Sequence, residues 1–200
     1  MFPFNLLSIE WPRGSLVPEW LAGLADELPV VREEAFAQLE DALADGAPVA
    51  GLVVEPLMKL IGLEEAKGRA LAAMLLANLA LEGRSTELLE QLREERASLE
   101  TLTTRHAAST PLGAALRAIT TILATPPGAK FVEQLAAVEA VVLEADAKDE
   151  APAPTLAEVK EWLGKVQKGE GHALALAQRA FPVDPAGALA ILEADATEPA

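Results

Sequence analysis

The stretch from Glu64 to Gly83 reads EEAKGRALAAMLLANLALEG. Between Ala70 and Leu81, Asn78 is the only polar residue. A helix that is apolar on all sides must be covered on all sides. The run is too short to span a bilayer, which takes roughly 18–20 apolar residues. The stretch therefore predicts the central helix of a helical domain, with other helices packed around it.

The composition favours helices along the whole chain. The 200 residues are 51% hydrophobic and 4% aromatic. Alanine, the best helix former, is abundant, whereas Val, Ile and Thr do not alternate with the period of two that strands need. Cysteine is absent, which excludes a disulfide, a thiol nucleophile and a Cys-based metal site. We therefore predict an all-α protein of about ten helices.

Breaks in the sequence divide the chain into four segments. Residues 1–16 are broken by Pro3, Pro12 and Gly14 but are too rich in large apolar side chains for a free tail, so they are predicted to lie across the first helices as a cover. They lack the basic start of a secretory signal, and we expect a cytoplasmic protein. The segment 146–154, DAKDEAPAP, has the composition of a linker. It separates a helical domain at 17–145 from a C-terminal helical cap at 155–194, which opens with a Thr155–Glu158 capping box.

A repeat relates the second predicted helix to the central one. A shift of 37 residues places Arg32 on Arg69, Ala35 on Ala72, Leu39 on Leu76 and Gly46 on Gly83. A period of roughly 35–45 residues with two helices per unit is typical of α-solenoids. A further shift of 43 matches three apolar positions near residues 115–122, but it puts Leu112 where the arginine would stand.

The first unit resembles a HEAT repeat. In that family a turn bearing Asp and Pro precedes Val-Arg at the start of a second helix, and this chain has Asp26, Pro29, Val31, Arg32, Ala35 and Leu39. The second unit keeps Arg69 but has Gly68 in place of the valine and no proline in the turn. The resemblance covers roughly residues 17–125. It implies an α-solenoid of antiparallel helix pairs whose second helices line the concave surface.

The run from Trp20 through Arg69 is also similar to small bacterial HEAT-like proteins. Some of those proteins are immunity proteins that neutralise a toxin, so the resemblance implies a protein-binding role. Fold analogy alone does not establish a function.

The sequence offers no catalytic constellation and no cofactor motif. His106 and His172 lack an acidic or histidine partner four residues on, so they are interpreted as surface or cap histidines. The loop Lys168–Gly171 lacks the Gly-Lys-Ser/Thr ending of a phosphate loop. We therefore expect no cofactor, no metal and no enzymatic activity. HEAT-like DNA glycosylases would need a basic groove, and this chain has the opposite charge.

The charge pattern points to a basic partner. The net charge is −15, which disfavours binding to nucleic acid or to an anionic membrane. Between Gly14 and Met58 there are nine acidic residues, and Arg32 is the only base. On the second helix these acids lie off the apolar stripe and form the candidate partner-binding set: Glu33, Glu34, Glu40, Asp41 and Asp45. The alternative is that this acidic face serves only solubility.

Two functions remain open from the sequence. One is an immunity protein or inhibitor that sequesters a basic protein such as a toxin or nuclease, through an electrostatically steered contact. The other is an adaptor or scaffold that binds a peptide or helix in an apolar groove. Binding should depend strongly on salt in the first case and weakly in the second.

Overall fold

The computed structural model describes residues 6, 9–44, 49–82, 86–124, 128–148, 154–168, 173–181 and 183–196. Every regular element in those ranges is a helix, which confirms the all-α prediction for the described residues. The chain divides into two compact units, Met1–Asp149 and Glu150–Ala200. No helix within the described ranges is long and apolar enough to cross a membrane.

The large unit contains the central helix predicted from the sequence. Its helices are α1 (Val17–Gly23), α2 (Pro29–Ala44), α3 (Val54–Gly62), α4 (Arg69–Glu82), α5 (Thr86–Glu94), α6 (Arg96–Arg105), α7 (Pro111–Ala124) and α8 (Ala129–Ala147). A short 3₁₀ turn, Gly51–Val53, precedes α3. Every residue of α4 from Leu71 to Ala77 has no exposed surface. Helices α2, α3, α7 and α8 all pack against α4 and provide the cover that its apolar sequence requires.

The described helices differ from the predicted ones at three boundaries. The sequence predicts a first helix from about Pro18 to Glu27, but α1 ends at Gly23, because Asp26 accepts a hydrogen bond from the Leu28 amide (2.9 Å) and forms a turn. α4 begins at Arg69 rather than at residue 64, because Gly68 has a φ of 69°. The spacing of Leu88, Leu92, Leu99 and Leu102 predicts one helix from about residue 85 to beyond residue 100, but the structure has two helices that meet at Glu95.

The fourth difference concerns the segment 146–154, which the sequence predicts to be a linker. Its first two residues belong to α8, and Lys148 caps that helix. The first of them, Asp146, pairs with a buried arginine, so its charge is not a sign of solvation. Composition alone cannot tell an internal carboxylate from an exposed one.

The helices of the large unit pack in a consistent order. α1 contacts α2, α3 contacts α4, and α6 contacts α7. The second members of these pairs also lie side by side, since α4 contacts both α2 and α7. α8 packs across all three of them through its buried Leu135 and Val142. α8 therefore covers the helices that the repeat comparison identifies as equivalent.

The N-terminal segment contributes to this core where the structure describes it. Leu6 is buried, and Trp11 is half-buried against the same cluster. The Trp11 indole donates a hydrogen bond from Nε1 to the Leu6 carbonyl oxygen (2.9 Å). The rest of 1–8 lies outside the described residues.

The small unit contains α9 (Leu156–Val166), α10 (Ala173–Ala180) and α11 (Pro185–Ala196), which contact one another. The predicted capping box is present, with Thr155 and Glu158 bonding to each other's backbone amides. These bonds from Thr155 lower the pKa of the Glu158 carboxyl. The unit has its own buried cluster, formed by Val159, Val166, Ala173, Ala177, Ala180, Ala188 and Ile191.

Candidate protein-binding surface

Helix α2 separates its apolar and acidic residues as the sequence predicts. Val31, Ala35 and Leu39 are buried. Glu34 and Asp41 are exposed on the opposite side of the helix. Because seven residues make almost two turns, these two carboxylates follow one line, about 10 Å apart along the axis. Two further acids, Glu33 and Glu40, are half-buried, and Asp45 lies outside the described residues.

Arg32 is the buried exception on α2. Its side chain has no exposed surface, and its Nε lies 3.0 Å and 3.1 Å from the two carboxylate oxygens of Asp146 on α8. Its Nη1 also donates to the Asp26 carbonyl oxygen (2.8 Å) in the turn before α2. A buried charge is tolerated when it is paired and hydrogen-bonded in this way.

The burial of Arg32 changes the surface of the first helix pair. It is the only base in the sequence between Gly14 and Met58, so no base from that segment reaches solvent. Glu33, Glu34 and Asp41 therefore face solvent without a basic neighbour from their own segment. We refer to these three residues as the α2 acidic edge.

Glu40 does not belong to this edge. The Asn78 amide, the one polar group in the middle of α4, donates from Nδ2 to the Glu40 carboxylate. The same nitrogen donates to the Glu139 carboxylate on α8 (2.7 Å). An amide nitrogen carries two hydrogens, so Asn78 can satisfy both acids. The cluster links α2, α4 and α8, and it explains why the central helix contains an asparagine.

The predicted site for a partner was the concave surface lined by second helices. α8 lies across α2, α4 and α7, so a segment of the same chain occupies the position in which a partner was expected. Of the five predicted acids, the structure leaves Glu34 and Asp41 exposed and Glu33 half-buried, and it ties Glu40 to Asn78. The α2 acidic edge is therefore what the structure leaves of the predicted set.

In each of the three helix pairs, an arginine side chain donates at least one hydrogen bond to a backbone carbonyl oxygen at the turn between the two helices. Arg69 donates to the carbonyl oxygens of Ile61 (2.8 Å) and Glu64 (3.0 Å), much as Arg32 does to Asp26. In the third pair, Arg117 donates to the carbonyl oxygens of His106 (3.2 Å) and Gly113 (3.0 Å). The sequence comparison missed this arginine because it lies five residues after Leu112, the position that the repeat assigns to it.

His106 is part of the turn that Arg117 holds. It is half-buried, and its Nε2 lies 3.4 Å from Nη2 of Arg69. Burial lowers the pKa of the His106 imidazole, and the nearby positive charges of Arg69 and Arg105 lower it further, against a smaller opposing effect of Glu64. A neutral imidazole can accept a hydrogen bond from the Arg69 guanidinium. His106 is therefore a structural residue that links two turns. The second histidine, His172, lies outside the described residues.

This arrangement predicts how pH affects stability. The ordinary pKa of histidine is about 6.5, and the folded value at His106 is lower. Below about pH 6.5 the unfolded chain binds this proton more readily than the folded chain, so this contribution destabilises the fold as the pH falls. Wild type and His106→Gln, whose side chain stays neutral and can still accept from Arg69, should be melted at pH 7.5 and pH 5.0. We expect the Tm of the wild type to fall relative to that of the variant at the lower pH. Parallel changes would contradict the assignment.

An open groove of about 710 Å³ lies between α3 and α6. Its polar lining carries both signs of charge, with Glu55, Lys59, Glu95 and Arg105. Glu55 and Lys59 pair with each other along α3. Among the described residues, no three His, Cys, Asp or Glu side chains lie close enough together to hold a metal ion.

No protein-family model matches the chain, and neither a curated protein nor a solved structure matches it.

Proposed function

We propose that this chain is a protein-binding helical-repeat protein that captures a basic protein through the α2 acidic edge. One observation carries the proposal. Arg32 is buried against Asp146, so Glu33, Glu34 and Asp41 meet solvent with no base from their own segment beside them. Like charges held close on one helix repel one another, and a basic partner would relieve that repulsion.

The most specific form of this proposal is an inhibitor of the immunity type, which sequesters a basic toxin or nuclease in the cytoplasm without acting as an enzyme. It is supported by the net charge of −15 and by the HEAT-like features of the first unit. The side-by-side packing of α2, α4 and α7 favours a solenoid, with α8 lying over its inner helices. An acidic surface of this kind raises the association rate with a basic protein.

The test is a capture experiment from the native host lysate at low and high salt, read by mass spectrometry. Wild type should retain a small basic protein at low salt and lose it at high salt. The variant Glu34→Lys/Asp41→Lys should reduce its capture at low salt by about tenfold or more, since the charge reversal affects steering and contact together.

The matched control is Glu90→Lys/Glu94→Lys, which makes the same change in net charge at exposed positions of α5. Capture by this variant should stay close to that of the wild type. Equal losses in both variants would mean that only total charge matters, and the acidic edge would be dismissed. A partner that high salt does not remove would favour the adaptor function instead.

A further inference from the structure

The small unit distributes its apolar side chains in an unusual way. Four of the seven residues in its buried cluster are alanines. Larger side chains lie outside, with Leu174 63% exposed, Phe181 59% and Leu189 57%. Together with Leu192 they border a groove of about 300 Å³ between α10 and α11, whose floor is formed by Ala177 and Ala188. We call this feature the α10–α11 groove.

Burying the α10–α11 groove against a partner would stabilise the small unit. A unit as short as Glu150–Ala200 buries too little surface to be more than marginally stable alone, and oligomerisation is a common remedy. Here the buried cluster is small because four of its seven residues are alanines, whereas Leu174, Phe181 and Leu189 are each more than half exposed. The largest apolar patch on a typical monomer covers a few hundred Å² and is often functional.

Charge favours a second copy of the chain as the cover. None of the six side chains that line the groove is charged. Two copies that meet through these side chains therefore place no like charges of the lining against each other.

Area also favours a second copy. The exposed parts of Leu174, Phe181, Leu189 and Leu192 amount to roughly 350 Å². Two copies meeting through the same groove would remove roughly 700 Å² from water through these side chains alone, against about 1,200 Å² for the smallest stable interfaces. These side chains alone therefore supply more than half of that area.

We propose that the chain forms a two-fold symmetric dimer in which the α10–α11 grooves of two copies pack against each other. A two-fold interface uses the same patch on both partners, so each groove receives α10 and α11 side chains of the other copy. This inference does not depend on the α2 acidic edge.

Sedimentation equilibrium of the full chain tests the dimer. The wild type should sediment as a dimer at micromolar concentration. Leu189→Glu puts a carboxylate into both halves of the interface, and we expect the dimer dissociation constant to rise by about 100-fold or more. Leu189 is largely exposed in the single chain, so the substitution removes no core contact, and circular dichroism should show unchanged helicity.

Leu156→Glu is the matched control, because Leu156 is equally exposed (56%) on α9 of the same unit but does not line the groove. This variant should remain a dimer, and Leu174→Glu on α10 should dissociate like Leu189→Glu. A monomeric wild type would overturn the proposal and leave the groove to another occupant. A dimer that survives both groove substitutions, or one that Leu156→Glu breaks equally, would overturn it as well.

Discussion

Replacing Asp146 with alanine should lower the free energy of unfolding of the large unit by about 3–5 kcal/mol. The substitution leaves Arg32, which has no exposed surface, without the carboxylate that faces its Nε. Removing one partner of a buried ion pair is costly because the other charge stays desolvated and loses its compensation. Urea unfolding followed by circular dichroism would report the change as a lower midpoint at similar slope.

Two further variants separate this effect from a general loss of charge on α8. Glu144→Ala removes an exposed carboxylate two residues earlier, which bonds only along the helix to Lys148, and the unfolding midpoint should not change measurably. Arg32→Met/Asp146→Leu replaces the pair with apolar groups and should recover most of the stability lost in Asp146→Ala. If Asp146→Ala unfolds like the wild type, the pair does not hold α8 in place.

Replacing Gly68 with alanine should destabilise the large unit by about 2–5 kcal/mol. The φ of Gly68 is 69°, in the left-handed region that L side chains disfavour. A Cβ built at this position would lie 1.8 Å from the Leu24 carbonyl oxygen, and a backbone atom cannot rotate away. Gly68 therefore allows the turn before α4 to touch the turn after α1. This contact explains why a glycine stands at the position that the shift of 37 residues aligns with Val31.

Three other glycines separate the two causes. Gly14→Ala tests the backbone angle alone, since its φ is 77° and no atom lies within 4 Å of the added Cβ; it should cost about 1–2 kcal/mol. Gly113→Ala tests the close contact alone, 2.0 Å to the Ala107 carbonyl oxygen, and should cost about 1–3 kcal/mol. Gly62→Ala introduces neither a disfavoured backbone angle nor a close contact, so it should be neutral or stabilising by up to about 1 kcal/mol. If Gly68→Ala lowers the free energy of unfolding no more than Gly62→Ala does, the close approach of Gly68 to Leu24 does not restrict this position to glycine.

The sequence could predict features that depend on local periodicity. The cover around α4 follows from its uniformly apolar residues, and the buried stripe of α2 follows from the spacing of Val31, Ala35 and Leu39. The exposure of Glu34 and Asp41 follows from the same spacing, because they lie opposite that stripe.

Contacts between residues far apart in the sequence produce no periodic pattern and could not be predicted in this way. Arg32 and Asp146 are 114 residues apart, and a single sequence does not show that they meet. Asp146 lies in a stretch whose composition is that of a linker, so pattern alone assigned it to solvent. The internal hydrogen bond of Glu40 could not be predicted for the same reason, because its partner Asn78 comes from another helix. The candidate site could therefore be located on α2, but Glu40, which Asn78 binds inside the fold, could not be told from the exposed acids.

The pairing of Arg32 with Asp146 also bears on how the chain folds during synthesis. In a simple repeat protein each unit contacts only its neighbours, so folding can begin at the first unit and spread. Here the ion pair between the first unit and α8 is complete only after 114 more residues have been made. At roughly 5–20 residues per second, that delay is on the order of ten seconds. We therefore expect the large unit to fold as one cooperative body once α8 has left the ribosome.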